Sequence, residues 1–212
     1  MARPSPAYVL HFTHMGHLET VVANGLLSDS EARATGVLAN EVGLQDVKAR
    51  RRARSVDVGP GRTVGEYVPF YFAPRSPMMF MIEKGGVATY QNGCDDLVYL
   101  VTTVETLIEQ QLKVVFSDRN AVLSLARFTD NVRDLDDLID WELMQAQYWY
   151  NTPDFPDRKE RRMAECLVHD RVPWRAFTHV ATRTKHTAER VQSVLGSVGA
   201  TTPVIVRPSW YF

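Results

Sequence analysis

Ala7-Tyr-Val-Leu-His-Phe-Thr13 is a β-prone run, and His17-Leu-Glu-Thr-Val-Val-Ala-Asn24, close behind it, sets Leu18, Val21 and Val22 at helical spacing before Gly25. Alternation along the first run sends His11 and Thr13 to one face, just where the chain turns into the helix. Two hydrogen-bonding side chains at such a junction can read a ligand. They also suit a plainer role, His11 as a satisfied core histidine and Thr13 as a helix cap, and spacing does not separate the two. Asn24-Gly25 supplies the left-handed residue that closes the helix, after which Leu26 and Leu27 return apolar bulk to the core.

Outward from this opening unit, residues 28–66 are rich in Gly, Ala and Arg, show little sustained period and are broken by Gly59-Pro60-Gly61. They predict a long irregular excursion with one short helix. Tyr67 to Phe72 and Met78 to Ile82 read as two strand segments around the turn Ala73-Pro-Arg-Ser-Pro77. Leu97 to Val101 has the make-up of a buried strand, and a hydroxyl-capped helix is expected from about Thr103. Arg119 to Phe128 and Leu135 to Trp149 carry apolar residues at roughly helical spacing and predict two helices. Cys166 to Val168, Phe177 to Ala181 and Val204 to Val206 complete the strands, with a helix over Thr187 to Val198. The class is α+β, in a single domain over residues 1–212.

A chain of 212 residues, 45% of them hydrophobic, can bury one full core. Its 24 Lys and Arg are balanced by 25 Asp and Glu, so no global charge draws it to polyanions or membranes, and any affinity for nucleic acid rests on local patches. The longest apolar-looking stretch, Tyr67 to Ile82, is interrupted by Pro69, Pro74, Arg75 and Pro77, which a lipid-facing helix would not tolerate. The first residues lack the layout of a signal peptide, and Cys94 and Cys166 form no CxxC pair. Two structural thiols in a cytoplasmic setting are expected. His11, His14 and His17 recur every third residue, but no cysteine or carboxylate completes a zinc set, so no metal is expected.

Four features carry chemistry. Lys48, Arg50, Arg51, Arg52 and Arg54 crowd one run, and Arg158, Lys159, Arg161 and Arg162 another. Each can grip phosphates, and each also reads as a solvated helix face. Glu165, between Ala164 and the apolar Cys166-Leu167-Val168, is a lone carboxylate opening a buried strand, costly without a role or a partner. A salt bridge to a nearby arginine and a catalytic acid both answer that cost. Tyr148, Trp149 and Tyr150 precede the second basic run and can stack on bases, or belong to the core of the preceding helix.

His11-x-Thr13 followed by Leu18, Val21 and Asn24-Gly25-Leu26 resembles the opening of ADP-ribosyltransferase folds, where such a strand and helix frame NAD. With Tyr67 to Met78, Asn92 to Leu100, Arg161 to Val168 and the closing Trp210-Tyr211-Phe212, the chain resembles the DarT family of DNA ADP-ribosyltransferase toxins from about Tyr8 to its last residue. The resemblance implies an ADP-ribosyltransferase-like α+β fold, a split mixed and antiparallel sheet with flanking helices. It implies NAD+ as substrate, ADP-ribose transfer to a base of single-stranded DNA, commonly thymine with a guanine-modifying branch, and a DarG-type macrodomain antitoxin as partner. By motif it implies Glu165 as the catalytic glutamate and Arg51 as the catalytic arginine, with the register open among Arg50, Arg51 and Arg52. His11, Thr13, Gly25, Leu26, Tyr71 and Arg75 fall to the cofactor, and Arg50, Arg52, Arg54, Tyr150, Arg158 and Arg161 to DNA. Transfer to guanine, RNA or protein stays open as an alternative. So does a non-enzymatic nucleic-acid-binding module in which Glu165 is structural.

Overall fold

The alternating run at the start of the chain forms strand β1 (Tyr8–His14), and helix α1 (Leu18–Asn24) follows it through one 3-10 turn, in a computed structural model that describes residues 2–37, 44–88 and 90–212. Beside β1, strand β4 (Leu97–Thr103) pairs antiparallel along its whole length and is buried at all seven positions, as a central strand covered on both faces must be. Strand β9 (His179–Thr182) extends the sheet beyond β4, and β10 (Val204–Val206) adds parallel to β9 after helix α9 (Lys185–Ser197). On the other side of β1 lie β3 (Tyr67–Tyr71), β7 (Glu165–His169), β5 (Val114–Ser117) and β6 (Phe128–Thr129), all antiparallel. The sheet order is β10-β9-β4-β1-β3-β7-β5-β6.

One junction in this sheet differs from the rest. Strands β1 and β3 share only the register pair Leu10 with Tyr71, so they diverge and the sheet splits between them. The split is filled from one side by α1 and the small ribbon of β2 (Leu26–Leu27) with β8 (Arg171–Val172). Val9, Phe70, Leu100, Phe116 and Val168 carry the larger core on one face, whereas Leu10, Phe12, Tyr99 and Tyr211 pack on the other. Burying each such side chain contributes about 1.5–3 kcal/mol, enough to hold two half-sheets that share few ladder bonds.

Several segments differ from the sequence expectation for identifiable local reasons. The excursion after Leu27 contains two helices, α2 (Asp29–Thr35) and α3 (Gln45–Ala53); residues 38–43 lie outside the described residues. Ser28 accepts from the Glu31 N–H and Gly36 closes α2 in the left-handed region, a start and a stop that the lack of apolar period concealed. The segment expected as a second strand is helix α4 (Pro77–Glu83). Ser76 caps it by accepting from the Met79 N–H, Pro77 occupies its first turn, and the buried Met79 and Ile82 stand three apart. Helix α5 (Val104–Glu109) starts where Thr103 caps it, as expected.

No helix forms over 119–127. The Asp118 carboxylate accepts from the Arg127 backbone N–H and from the Nε of Arg119 and Arg127, and so folds the segment into turns between β5 and β6. The single helix expected over Leu135 to Trp149 is two short ones, α6 (Leu135–Leu138) and α7 (Trp141–Gln145), because Asp140 caps a new start by accepting from Leu143. Strand β5 escaped notice because all four of its residues are buried and no alternation marks it. A last short helix, α8 (Arg158–Arg161), leads into β7.

Gly25 sits at φ +80°, and a Cβ there would stand 2.8 Å from the Val172 carbonyl oxygen across the β2–β8 ribbon. Gly25→Ala is expected to lower the unfolding free energy by about 1–3 kcal/mol, read from urea denaturation.

Candidate active site

The divergence of β1 and β3 opens a cleft of about 370 Å³, walled by His11 and Thr13 from β1, Val21 from α1, Leu26, Arg51 from α3 and Tyr71 from β3. Met78 and Met81, one turn apart on α4, close an apolar side. The strand alternation read from the sequence thus delivers His11 and Thr13 into a concave site.

The chemistry of His11 is settled by its neighbours. Its Nδ1 lies 2.7 Å from the Pro69 carbonyl oxygen, which can only accept, so Nδ1 carries the proton and Nε2 remains an acceptor. Burial pulls the pKa down to about 4, against the opposing Pro69 bond, and the charges of His17, Arg51 and Lys48 add to the lowering. A neutral ring with one open lone pair suits a hydroxyl or amide N–H of a ligand. Thr13 Oγ1 pairs with His17 Nδ1 at 3.0 Å, which orients that hydroxyl on the same wall.

Glu165 is 0% exposed and is joined to the cleft through Arg51, which lines it. It opens β7 directly between Tyr71 of β3 and Ser117 of β5, its register partners on either side, so all three side chains share one face. Arg51 Nη1 donates to Glu165 Oε2 at 2.9 Å and Oε1 at 3.1 Å, and the Ala121 N–H donates to Oε1 at 2.9 Å. A buried carboxylate requires such charged and hydrogen-bonded compensation. Arg51 Nη2 is buried without a hydrogen-bond partner among the described residues, so the guanidinium keeps one donor unused beside the carboxylate. Of this pair, Arg51 is the member that lines the cleft.

The three arginines among which the sequence left the register open have different surroundings. Arg51 reaches Glu165, Arg52 Nη1 donates to Asp29 at 2.6 Å, and Arg50 is exposed. The salt-bridge partner of Glu165 is therefore not one of the arginines adjacent in sequence. Arg158 donates to the Tyr148 carbonyl at 3.1 Å, and Arg161 pairs with Asp140. Arg54 donates at 3.4 Å to the carbonyls of Ser124 and Ala126 and lies over the Phe128 ring. Arg75 does not line the cleft: its N–H donates to the Tyr99 hydroxyl and its guanidinium stacks 4.5 Å from the Phe212 centroid. Tyr148 and Tyr150 are 66% and 61% exposed with ring centroids 6.4 Å apart, whereas Trp149 packs on the core. Gly25 lines the cleft through its backbone.

Asp29 and the Ala121 amide carried no signal in the sequence, whereas Lys48 and Arg162 stood in its two basic runs without an assigned place. Lys48 and Asp29, 3.0 Å apart, line the cleft beside Arg51. Burial works to raise the Asp29 carboxyl, but hydrogen bonds from Lys48 and Arg52 outweigh it and hold the group below its ordinary range. The Ala121 backbone N–H carries no side-chain signal at all. Arg162, 5% exposed, donates to the carbonyls of Leu143, Met144, Ala146 and Pro74, tying the segment before Tyr148 and the turn after β3 to the approach of β7. Burial brings its pKa down to about 10. Among the described residues no group of three His, Cys, Asp or Glu is arranged to hold a metal, and no helix is long and apolar enough to cross a membrane.

Residues 10–212 match the family model described as DarT, ssDNA thymidine ADP-ribosyltransferase. The chain is 34% identical to a DNA ADP-ribosyl transferase of Thermus sp. (strain 2.9), over 99% of this chain and 98% of that protein. The structure of Thermus sp. 2.9 DarT in complex with ADP-ribosylated ssDNA superposes with a TM-score of 0.92 at 32% identity, covering 100% of this chain and 99% of that one. Its complex with NAD+ superposes at 0.87, also at 32% identity and over 99% of each chain. A Thermosipho africanus DNA ADP-ribosyl transferase-DNA ADP-ribosyl glycohydrolase fusion protein is 22% identical over 95% of this chain and 48% of its own length.

The depressed pKa of His11 has a consequence for stability. Between its ordinary 6.5 and about 4 the unfolded chain binds a proton that the folded chain refuses, so this contribution is complete above pH 6.5 and is lost as pH falls toward 4. Urea midpoints at pH 7 and pH 5 should differ more in the unaltered protein than in His11→Gln.

Proposed function

The chain belongs to the DarT family of single-stranded-DNA thymidine ADP-ribosyltransferases, and from that premise we propose that it transfers ADP-ribose from NAD+ to a thymine base of single-stranded DNA. The observation that carries this reading is the Arg51–Glu165 pair, whose arginine lines the same cleft as His11 and Thr13. The proposed site serves one reaction. The bond between nicotinamide and ribose C1′ breaks with its electron pair leaving on nicotinamide, a thymine ring nitrogen bonds to C1′, and the proton from that nitrogen passes to solvent.

As that bond stretches, positive charge grows on the ribose. A carboxylate held beside the ring stabilises the charged state more than the ground state. In this reading Glu165 is that carboxylate. Arg51 is the only described partner of its Oε2, so that oxygen is the one a ribose hydroxyl can engage once the guanidinium shifts. His11 Nε2 accepts from the dinucleotide deeper in the cleft, with Thr13, Gly25, Leu26 and Tyr71 forming the wall around it.

Arg51 stays charged and cannot serve as the base. Its unused Nη2 orients the thymine or a neighbouring phosphate, and Glu165 lies nearer the proton that must leave. The DNA is single-stranded because pairing hides the reacting nitrogen. Tyr150, with Tyr148 beside it and Arg158 behind, offers a stacking platform worth about 1–3 kcal/mol per base. Arg50 and Arg54 are placed for phosphates near α3, whereas Arg52 and Arg161 reach a phosphate only by giving up Asp29 and Asp140. Arg75 supports the site from behind, through Tyr99 and Phe212. The whole of residues 1–212 acts as one domain, in the cytoplasm, as the toxin of a pair whose antitoxin is a DarG-type macrodomain protein. The Thermosipho africanus relative, which joins a transferase to a glycohydrolase in one chain, supports that pairing.

With NAD+ and a thymine-containing single strand, mass spectrometry should show an ADP-ribose gain on the DNA that Glu165→Ala abolishes. Arg51→Ala should slow transfer by about 10²–10³-fold while the dissociation constant for NAD+ changes little. Label appearing on protein and never on the strand would overturn the assignment.

A further inference from the structure

The turn between β5 and β6 brings one more polar side chain to the reaction end of the cleft. Asn120 precedes Ala121, whose N–H holds Glu165 Oε1 at 2.9 Å, and Asn120 and Met163 both line the cleft together with Arg51. The Asn120 backbone N–H donates to the Glu160 carbonyl at 3.0 Å, and its Oδ1 accepts from the Val122 N–H at 3.2 Å. These bonds anchor the turn and also fix which way the amide faces, since the oxygen is bound by its own loop. Nδ2 is left with the Met163 Sδ at 3.7 Å, and a thioether is a weak acceptor. An oriented amide donor lacking a strong acceptor thus lines the cleft, one residue before the N–H that holds Glu165.

We propose that Asn120 reads the acceptor base, donating from Nδ2 to a ring carbonyl next to the nitrogen that attacks; this rests on the thymine transfer proposed above. Thymine carries a carbonyl on each side of its ring N–H, and charge left when that proton departs spreads onto both oxygens. A fixed N–H donor therefore binds the reacting form more strongly than the resting one. Cytosine presents an amino group where thymine presents O4, and two donors facing each other repel. With its own oxygen occupied, Asn120 cannot turn to accept from that amino group. If the carbonyl read is O4, the residue favours thymine over cytosine; if it is O2, which cytosine shares, it serves the reacting form alone, and the two sulfur substitutions tell these apart.

The test compares single-turnover transfer to a strand with one target thymine and to the same strand carrying 2-thiothymine or 4-thiothymine there, for the unaltered protein and for Asn120→Ala. Sulfur is a poor acceptor, and its intrinsic effect on the ring nitrogen is common to both proteins and cancels in the comparison. Asn120→Ala should slow transfer to thymine about tenfold. One of the two sulfur substitutions should then cost the variant at least fivefold less than it costs the unaltered protein. Asn120→Asp, which keeps the shape but replaces the donor by an acceptor, should be slower on thymine than Asn120→Ala. Equal sulfur effects in the two proteins, or an Asn120→Ala rate matching the unaltered one, would overturn the role of Asn120 and leave the transfer reading standing. An unaltered protein that modifies no thymine strand would remove both.

Discussion

A carboxylate with no exposed surface is bound, among the described residues, by the guanidinium of a cleft-lining arginine and by one backbone N–H. Glu165 would be too costly to bury alone, and neither compensating group comes from its own neighbourhood in the chain: Arg51 is 114 residues away and Ala121 is 44. The strand order β3-β7-β5 sets Glu165 between Tyr71 and Ser117, α3 must then lie across the open end of the sheet to deliver Arg51, and the β5–β6 turn must fold back to present its amide. Three separate parts of the fold are thereby committed to one pair of charges.

The cleft itself follows from a weakness in the sheet. Strands β1 and β4 zip along their full length, but β1 and β3 meet at one register pair, and the gap leaves side chains of the divergent strands facing a cavity. His11 bridges that gap by donating to Pro69, a residue whose missing N–H already weakens the ladder there. The same bond sets the histidine tautomer, so the feature that holds the split sheet together also determines which ring nitrogen faces a ligand.

The near-neutral composition hides a local separation of roles among the arginines. Arg52 and Arg161 are bound by carboxylates, Arg162 is buried among carbonyls, Arg75 lies over an aromatic ring, and Arg51 alone of these pairs with Glu165. A run of like charges in the sequence therefore resolves into cations with different tasks. The helical period of α3 turns Arg50 outward, Arg51 inward and Arg52 toward α2.

Local pattern by itself determined the opening strand and helix, the closure at Gly25, the central strand over Leu97 to Val101, the capped helix at Thr103 and the pair β9–β10 with its helix. In each, period and capping residues agree with the final environment. Motif likeness pointed to Arg51, His11 and Thr13, which line one cleft, to Glu165, which Arg51 ties to it, and to Arg75, which stands apart. Met78 to Ile82 is helical for a reason equally local, the cap at Ser76 with Pro77 behind it, which β-propensity masked. The tertiary structure alone decided that Arg51 rather than its neighbours meets Glu165, and that Asn120, Lys48 and Asp29 line the cleft. Period and capping are set by adjacent residues and are visible in one dimension. A charge pair or a fixed amide depends on which distant segment the sheet lays alongside, and no local rule specifies that.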